Sequence, residues 1–92
     1  MIYYEDEDFK LECNSTLNEY FLHCEVKNWN ISSLKKGFRV FACLLNEKEK
    51  EGVHRLVTVT PNPKFASLLG GTYFETVEKD GIRYEVYEWV LK

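Results

Sequence analysis

Two histidines, three cysteines and an acidic run are the side chains of this 92-residue sequence best suited to acid–base, nucleophilic or metal chemistry. Their spacing decides how much of it they can do. Cys13, Cys24 and Cys43 form no Cys-x-x-Cys pair, whereas structural zinc takes four ligands at tight spacings. Cys13 and Cys24 facing each other across neighbouring strands, with His23, would be an incomplete ligand set, so no metal is expected. An odd cysteine count leaves one thiol unpaired under any disulfide scheme, which points to buried free thiols in a reducing compartment. Ser-His-Asp catalysis would need His23 or His54 oriented by a carboxylate beside a nucleophile. Neither Gly-x-Ser-x-Gly nor Gly-x-x-x-x-Gly-Lys-Ser/Thr occurs. Glu5, Asp6, Glu7 and Asp8 are expected to be a solvated start, where no fixed carboxylate separation can be held.

The elements that would position such groups follow from composition and pattern. A chain of this length makes one domain, and 45% hydrophobic with 15% aromatic residues suffices for a core. A net charge of −3 argues against indiscriminate nucleic-acid binding, which needs a basic face. Six basic residues lie between Lys27 and Lys50, but Glu47, Glu49 and Glu51 interleave with them, as in a solvated helix end. The opening MIYYEDEDFK has no basic region followed by an apolar run, so no secretory signal is expected. No stretch approaches the ~20 apolar residues of a membrane span. The expected place is the cytoplasm.

A short strand is expected from Phe9 to Cys13, and Asn14-Ser15 is a turn signal. The segment from Leu17 to Trp29 is aromatic and β-branched, with a strand from Glu19 to Lys27. Asn30 to Ser33 offer caps for a helix from about Ser33 to Lys50, stopped at Gly52, whose stripe is Leu34, Phe38, Phe41 and Leu45, widened by Ala42 and Leu44. Gly37 inside it costs ~1 kcal/mol relative to alanine, so it either permits close packing or marks the true start. Val53 to Thr60 reads as a buried strand. Pro61-Asn62-Pro63 ends it, with Asn62 as N-cap and Pro63 at the first position of a short helix. Phe65, Leu68 and Leu69 share a face of that helix, and Gly70-Gly71 closes it. Asp80-Gly81 suits a type I′ hairpin turn. That turn pairs 79 with 82, 77 with 84, 75 with 86 and 73 with 88, and sets Glu78 beside Arg83, Phe74 beside Tyr87 and Thr72 beside Trp89. The predicted order is β-β-α-β-α-β-β, an α+β (α/β) class with a mixed sheet and a terminal antiparallel hairpin.

This order, with Asn62, Phe65, Leu69, Gly70 and Phe74 in place, resembles the C-terminal half of the GCN5-related N-acetyltransferase (GNAT) superfamily. There a strand ends in Asn, a helix with an aromatic follows, and an l-G-x-x-F step leads into the final hairpin. The likeness extends to the small acetyltransferase-like proteins of tailed bacteriophages and covers roughly residues 20 to 92. It implies acetyl-CoA as cofactor, its pyrophosphate at the N-terminus of the long helix, where free backbone amides and the helix dipole favour anions. The corresponding loop runs from Asn28 to Gly37. Ser32, Ser33, Lys35, Lys36 and Arg39 could contact phosphate there, but only Gly37 remains of the family's glycines, and without them the backbone cannot wrap the ligand.

Asn62 matches the residue that contacts the pantetheine arm. Ala66 stands where the family has a tyrosine as general acid, so that acid is missing, while Tyr73, Tyr84 and Tyr87 belong to the hairpin. Glu25 and His23, on the strand before the loop, are the candidate general bases. Weak or absent acetyl-CoA binding and negligible turnover are therefore expected. Three readings follow: an acetyltransferase-like domain with degenerate catalysis, a non-catalytic module or inhibitor that binds a protein, and an acidic mimic of nucleic acid based on Glu5 to Asp8. For the second, Tyr3, Tyr4, Trp29 and Trp89 exceed what a small core absorbs, so Trp29 and Trp89 are the candidate partner-binding residues.

Overall fold

The computed structural model describes residues 1–16 and 19–91; Leu17, the expected start of the aromatic segment, lies outside them. Six strands form one mixed sheet in the order β1-β2-β3-β4-β6-β5. The elements are β1 (Ile2–Glu5), β2 (Phe9–Thr16), β3 (Glu19–Val26), α1 (Ile31–Lys50), β4 (Arg55–Thr60), α2 (Lys64–Leu68), β5 (Thr72–Lys79) and β6 (Ile82–Val90). The α+β class and the predicted order hold, with one strand added at the front. β1 pairs antiparallel with β2. Its alternation covers only four residues and ends in acid, too short a pattern to separate from a solvated tail.

The acidic segment is not a solvated tail: Glu5 and Glu7 are exposed, but Asp6 and Asp8 are half-buried. It is the β1–β2 turn, and it clasps the start of the helix. The Asp6 carboxylate accepts the amides of Asp8 and Phe9 at 2.8 and 3.1 Å and the Tyr4 hydroxyl at 2.7 Å. Lys36 of α1 pairs with Asp6 and, at 2.8 Å, with Asp8. Lys27 pairs with Glu5 at 2.9 Å. The Lys36 ammonium, then the Tyr4 hydroxyl, hold the Asp6 carboxyl well below the usual carboxylate range, and Lys27 lowers that of Glu5.

α1 begins where Asn30 accepts the Ser33 amide at 2.8 Å while Ser33 Oγ accepts the Asn30 amide at 2.9 Å, a reciprocal cap. It ends at Glu51 ahead of Gly52, whose φ of 86° is the left-handed conformation glycine accepts. Its inner line is Ser33, Gly37, Phe41 and Leu44 rather than the predicted stripe: Ser33, Phe41 and Leu44 are buried, Leu34 and Leu45 half-buried, Phe38 41% exposed and Ala42 exposed. The turn of the helix that faces the sheet is set by where β3 delivers the chain, which apolar spacing does not encode. Phe41 and Leu44 join Phe9, Leu11, Leu22, Leu56, Ala66 and Trp89 in one core, so both helices cover the same face of the sheet. On α2 the buried residue is Ala66, with Leu68 44% exposed, because Trp89 fills the space beneath. Its N-cap is Pro63, one residue later than predicted, and Asn62 Oδ1 accepts the Lys64 amide at 3.4 Å.

The hairpin turns at Asp80-Gly81 as expected, with φ of 54° and 79°. Lys79↔Ile82, Glu78↔Arg83, Val77↔Tyr84 and Glu75↔Val86 hold, but a bulge between Tyr73 and Glu75 moves the rest, giving Tyr73↔Tyr87 and Thr72↔Glu88. The expected pairs 73–88, Phe74–Tyr87 and Thr72–Trp89 are thereby lost. Tyr73 instead meets Tyr87 edge-on at 5.9 Å, and Phe74 turns to the guanidinium of Arg55, 4.9 Å from its ring centre. Arg55 Nε lies 2.8 Å from Glu88 Oε2, bent away from hydrogen-bond geometry, so the two act as a charge pair.

Two outcomes follow. Phe41→Ala, which removes a ring 4% exposed and 5.0 Å edge-on from Trp89, should cost about 3–5 kcal/mol in denaturant unfolding, with Phe38→Ala costing far less. Acid should destabilise the fold. The lowered carboxyls of Asp6 and Glu5 contribute stability that is present above their unfolded pKa near 4 and lost as pH falls through the folded values. Asp6→Asn should flatten the acid limb of a stability-against-pH curve, while leaving the alkaline limb governed in part by Tyr3, whose phenol is pushed up to about 12 by burial and by Glu47.

Candidate functional site

β3 and β4 run parallel and meet at only two residue pairs, Tyr20↔Leu56 and Phe21↔Val57. Just beyond, Thr58 Oγ1 donates to the Leu22 carbonyl at 2.8 Å, and then the strands part. Each is held by its outer neighbour. β3 pairs with β2 to Val26, and the amides of Lys27 and Asn28 both donate to the Asp8 carbonyl, at 2.7 and 3.0 Å. β4 pairs with β6 from Arg55 to Thr60, and Pro61 then ends it without an amide to offer. The inner edges of both strands thus face a gap with backbone groups unpaired by strand, an arrangement water or a ligand must satisfy.

The gap is a cleft of about 290 Å³, near the lower bound of ~300–1,000 Å³ for small-molecule sites. Leu22, His23, Cys24 and Val26 form one wall, Thr58 to Asn62 the other, and Phe65, Ala66, Leu69 and Trp89 close the end. Trp89 Nε1 donates to the Leu69 carbonyl at 3.0 Å, tying α2 to β6. Gly71 permits it: a Cβ there would stand 2.9 Å from both the Ala66 carbonyl oxygen and the Trp89 ring.

A smaller space of about 30 Å³ lies beneath α1 beside the cleft, and Leu11, Cys24, Val26, Phe41, Phe65 and Leu69 line both. Gly37 lines this space on the inner line of the helix, four residues from Ser33 and from Phe41. A Cβ at Gly37 would meet nothing within 4 Å. The glycine therefore serves neither close packing nor the helix start; it borders open space. Trp29 and Phe65, edge to face at 4.8 Å, cover it from outside.

The structure brings Asn62, His23 and Gly37 to these two spaces. It sets others aside. Glu25 lies exposed on the outer face, 3.6 Å from Lys10. Ser33 is buried, and its hydroxyl is spent on the cap, donating to the Asn30 carbonyl at 2.8 Å. Lys36 is committed to Asp6 and Asp8. Ser32 and Lys35 are exposed on the first turn of α1. Trp29 is 52% exposed, but Trp89 is 7% exposed and a core residue, so it offers no partner surface; Tyr3 and Tyr4 also pack against the core. Cys43 is exposed, and Cys13 and Cys24 are half-buried and do not face each other, Cys13 standing opposite Leu22 and Cys24 opposite Leu11. Burial pushes the Cys24 thiol up to about 11, which keeps that side chain uncharged.

Thr58 is not singled out by the sequence; Cys24 reads there only as a buried thiol or an incomplete metal ligand, and Trp29 and Phe65 are named without their contact. The readable signal for Thr58 was a hydroxyl on a buried strand three residues before Pro61. No protein-family model matches the chain, and no significant match is found among curated proteins or solved structures.

Gly37→Ala should stabilise the protein by about 1 kcal/mol, since alanine lowers the helix penalty and its methyl enters empty space. A shift of the denaturant midpoint in the opposite direction would mean that the space is not there.

Proposed function

We propose that this chain is a shortened acetyltransferase-like domain whose wedge between β3 and β4 holds the acyl-pantetheine portion of an acyl-CoA weakly and without turnover. The observation that carries the reading is the parting of two parallel strands after two pairs, opposite the start of the long helix, with Asn62 at the end of β4. An extended arm bearing amides suits such a gap, because it can satisfy backbone groups on both facing edges at once, as an added strand does. Thr58, Thr60 and Asn62 supply side-chain polarity on one wall.

The phosphate end fits poorly. Asn30 Oδ1 takes the Ser33 amide and the Asn30 carbonyl takes that of Leu34, which leaves Ile31 and Ser32 as first-turn donors. With Lys36 in its ion pairs, Lys35 and Arg39 are the exposed cations near that end. The catalytic end fits no better, since Ala66 is buried where a general acid would stand and carries no proton. His23 is the remaining candidate base at the cleft.

A second reading, a non-catalytic module that binds a protein, is favoured by the sheet face opposite the helices. There Phe21, Val59, Phe74, Val77 and Ile82 are 37–50% exposed.

Calorimetry should give millimolar rather than micromolar binding of acetyl-CoA, weakened further by Asn62→Ala, with negligible thiol release over a panel of amines. Micromolar binding together with measurable thiol release would make the protein an enzyme.

A further inference from the structure

We propose that the free edge of β5 pairs with the same edge of a second copy of this chain, antiparallel and about a two-fold axis at Val77, so that two six-stranded sheets become one. β5 stands last in the sheet, beside β6 alone, and Thr72 to Lys79 are exposed except for half-buried Thr76. An outermost strand offers a row of amides and carbonyls to any chain that can match it. Behind the two-residue turn the hairpin pairs alternate in kind, beginning with Lys79↔Ile82. Lys79, Val77 and Glu75 therefore spend their backbone groups on β6, and those of Thr76 and Glu78 point to the free edge.

The charges on that edge choose the partner and the register. A two-fold axis normal to the sheet sets residue i of one copy opposite j of the other and j opposite i, so the residue on the axis defines the register. The bulge between Tyr73 and Glu75 confines regular pairing to 75–79. An axis at Glu75, Glu78 or Lys79 would oppose like charges, and one at Thr76 would set Glu75 against Val77. An axis at Val77 sets Glu75 against Lys79 twice, one ion pair on each side of a contact between the two valines. Neither Glu75 nor Lys79 is in an ion pair within the chain among the described residues. The same register sets Thr76 opposite Glu78, the two residues whose backbone groups are free, so their amides and carbonyls pair across the axis. The two Glu78 carboxylates come diagonal to each other, and each has Arg83 beside it on β6. On the opposite face Val77, Tyr84 and Ile82 of both copies form one apolar strip. β1, the other edge of the sheet, has four residues and an irregular register, so growth stops at two copies. Five residues a side make a small interface, and a reversible dimer with a Kd on the order of 10–100 µM is expected.

The test is sedimentation equilibrium of the full chain from about 1 to 500 µM, over which the mass should double. Glu75→Lys or Lys79→Glu alone sets like charges opposite each other at both ends and should weaken association about tenfold or more. The double variant exchanges the charges and should recover it. In a Cys43→Ser background, Val77→Cys places two thiols on opposed Cα atoms ~4.5 Å apart and should cross-link on oxidation, whereas Thr76→Cys should not. A monomer at every concentration would overturn the proposal. So would association that ignores the single charge reversals, a double variant that stays weak, or cross-linking at 76 in place of 77.

Discussion

The hydroxyl of Thr58 on the Leu22 carbonyl marks the point at which two parallel strands stop pairing, and the open end of the sheet depends on what happens there. Parallel neighbours joined by a crossover helix ordinarily continue their ladder, because an unpaired edge inside a domain carries unsatisfied donors and acceptors. Here each strand is more strongly attached on its outer side. The Asp8 carbonyl gathers the amides of Lys27 and Asn28, and β6 keeps β4 to Thr60. The competition is won by the antiparallel partners, and a cleft results in place of a ladder.

The acidic turn gives this arrangement its stability. Asp6 and Asp8 hold Lys36, Glu5 holds Lys27, and Asp8 also binds the end of β3 through its carbonyl. One turn thus fixes the strand that forms a wall of the cleft and the helix that roofs it. The Lys27–Glu5 pair is exposed and the Lys36 pairs with Asp6 and Asp8 are half-buried at the surface, so each contributes modestly. Their use lies in direction, since they define where α1 begins relative to β3. The same contacts withdraw Lys36 from any phosphate, so the clasp that orders the site also removes one of its candidate ligands.

The site has polar groups at its mouth and a hydrocarbon interior. Thr58, Thr60 and Asn62 lie on the β4 wall; Phe9, Leu11, Phe41 and Phe65 lie under the helix. Helix propensity favours alanine at Gly37, where a Cβ would meet nothing within 4 Å.

Local chemistry was legible in the residues themselves. Asn30 and Ser33 form the expected cap, Gly52 ends the helix, Asp80-Gly81 makes the turn, and the order of elements follows because caps, turn residues and apolar period act over three or four positions. The absence of glycine from positions 28 to 36 and the alanine at position 66 were equally legible. What it did not contain was anything requiring two distant segments to agree. The bulge at Tyr73 to Glu75 arises from Phe74 meeting Arg55 of β4, the burial of Trp89 from Leu69 and Phe41, and the occupation of Lys36 from a turn 28 residues earlier. The parted strands and the open space beside Gly37 belong to this second kind. Each is a space, defined by what surrounding elements fail to fill, and only their packing in three dimensions decides it.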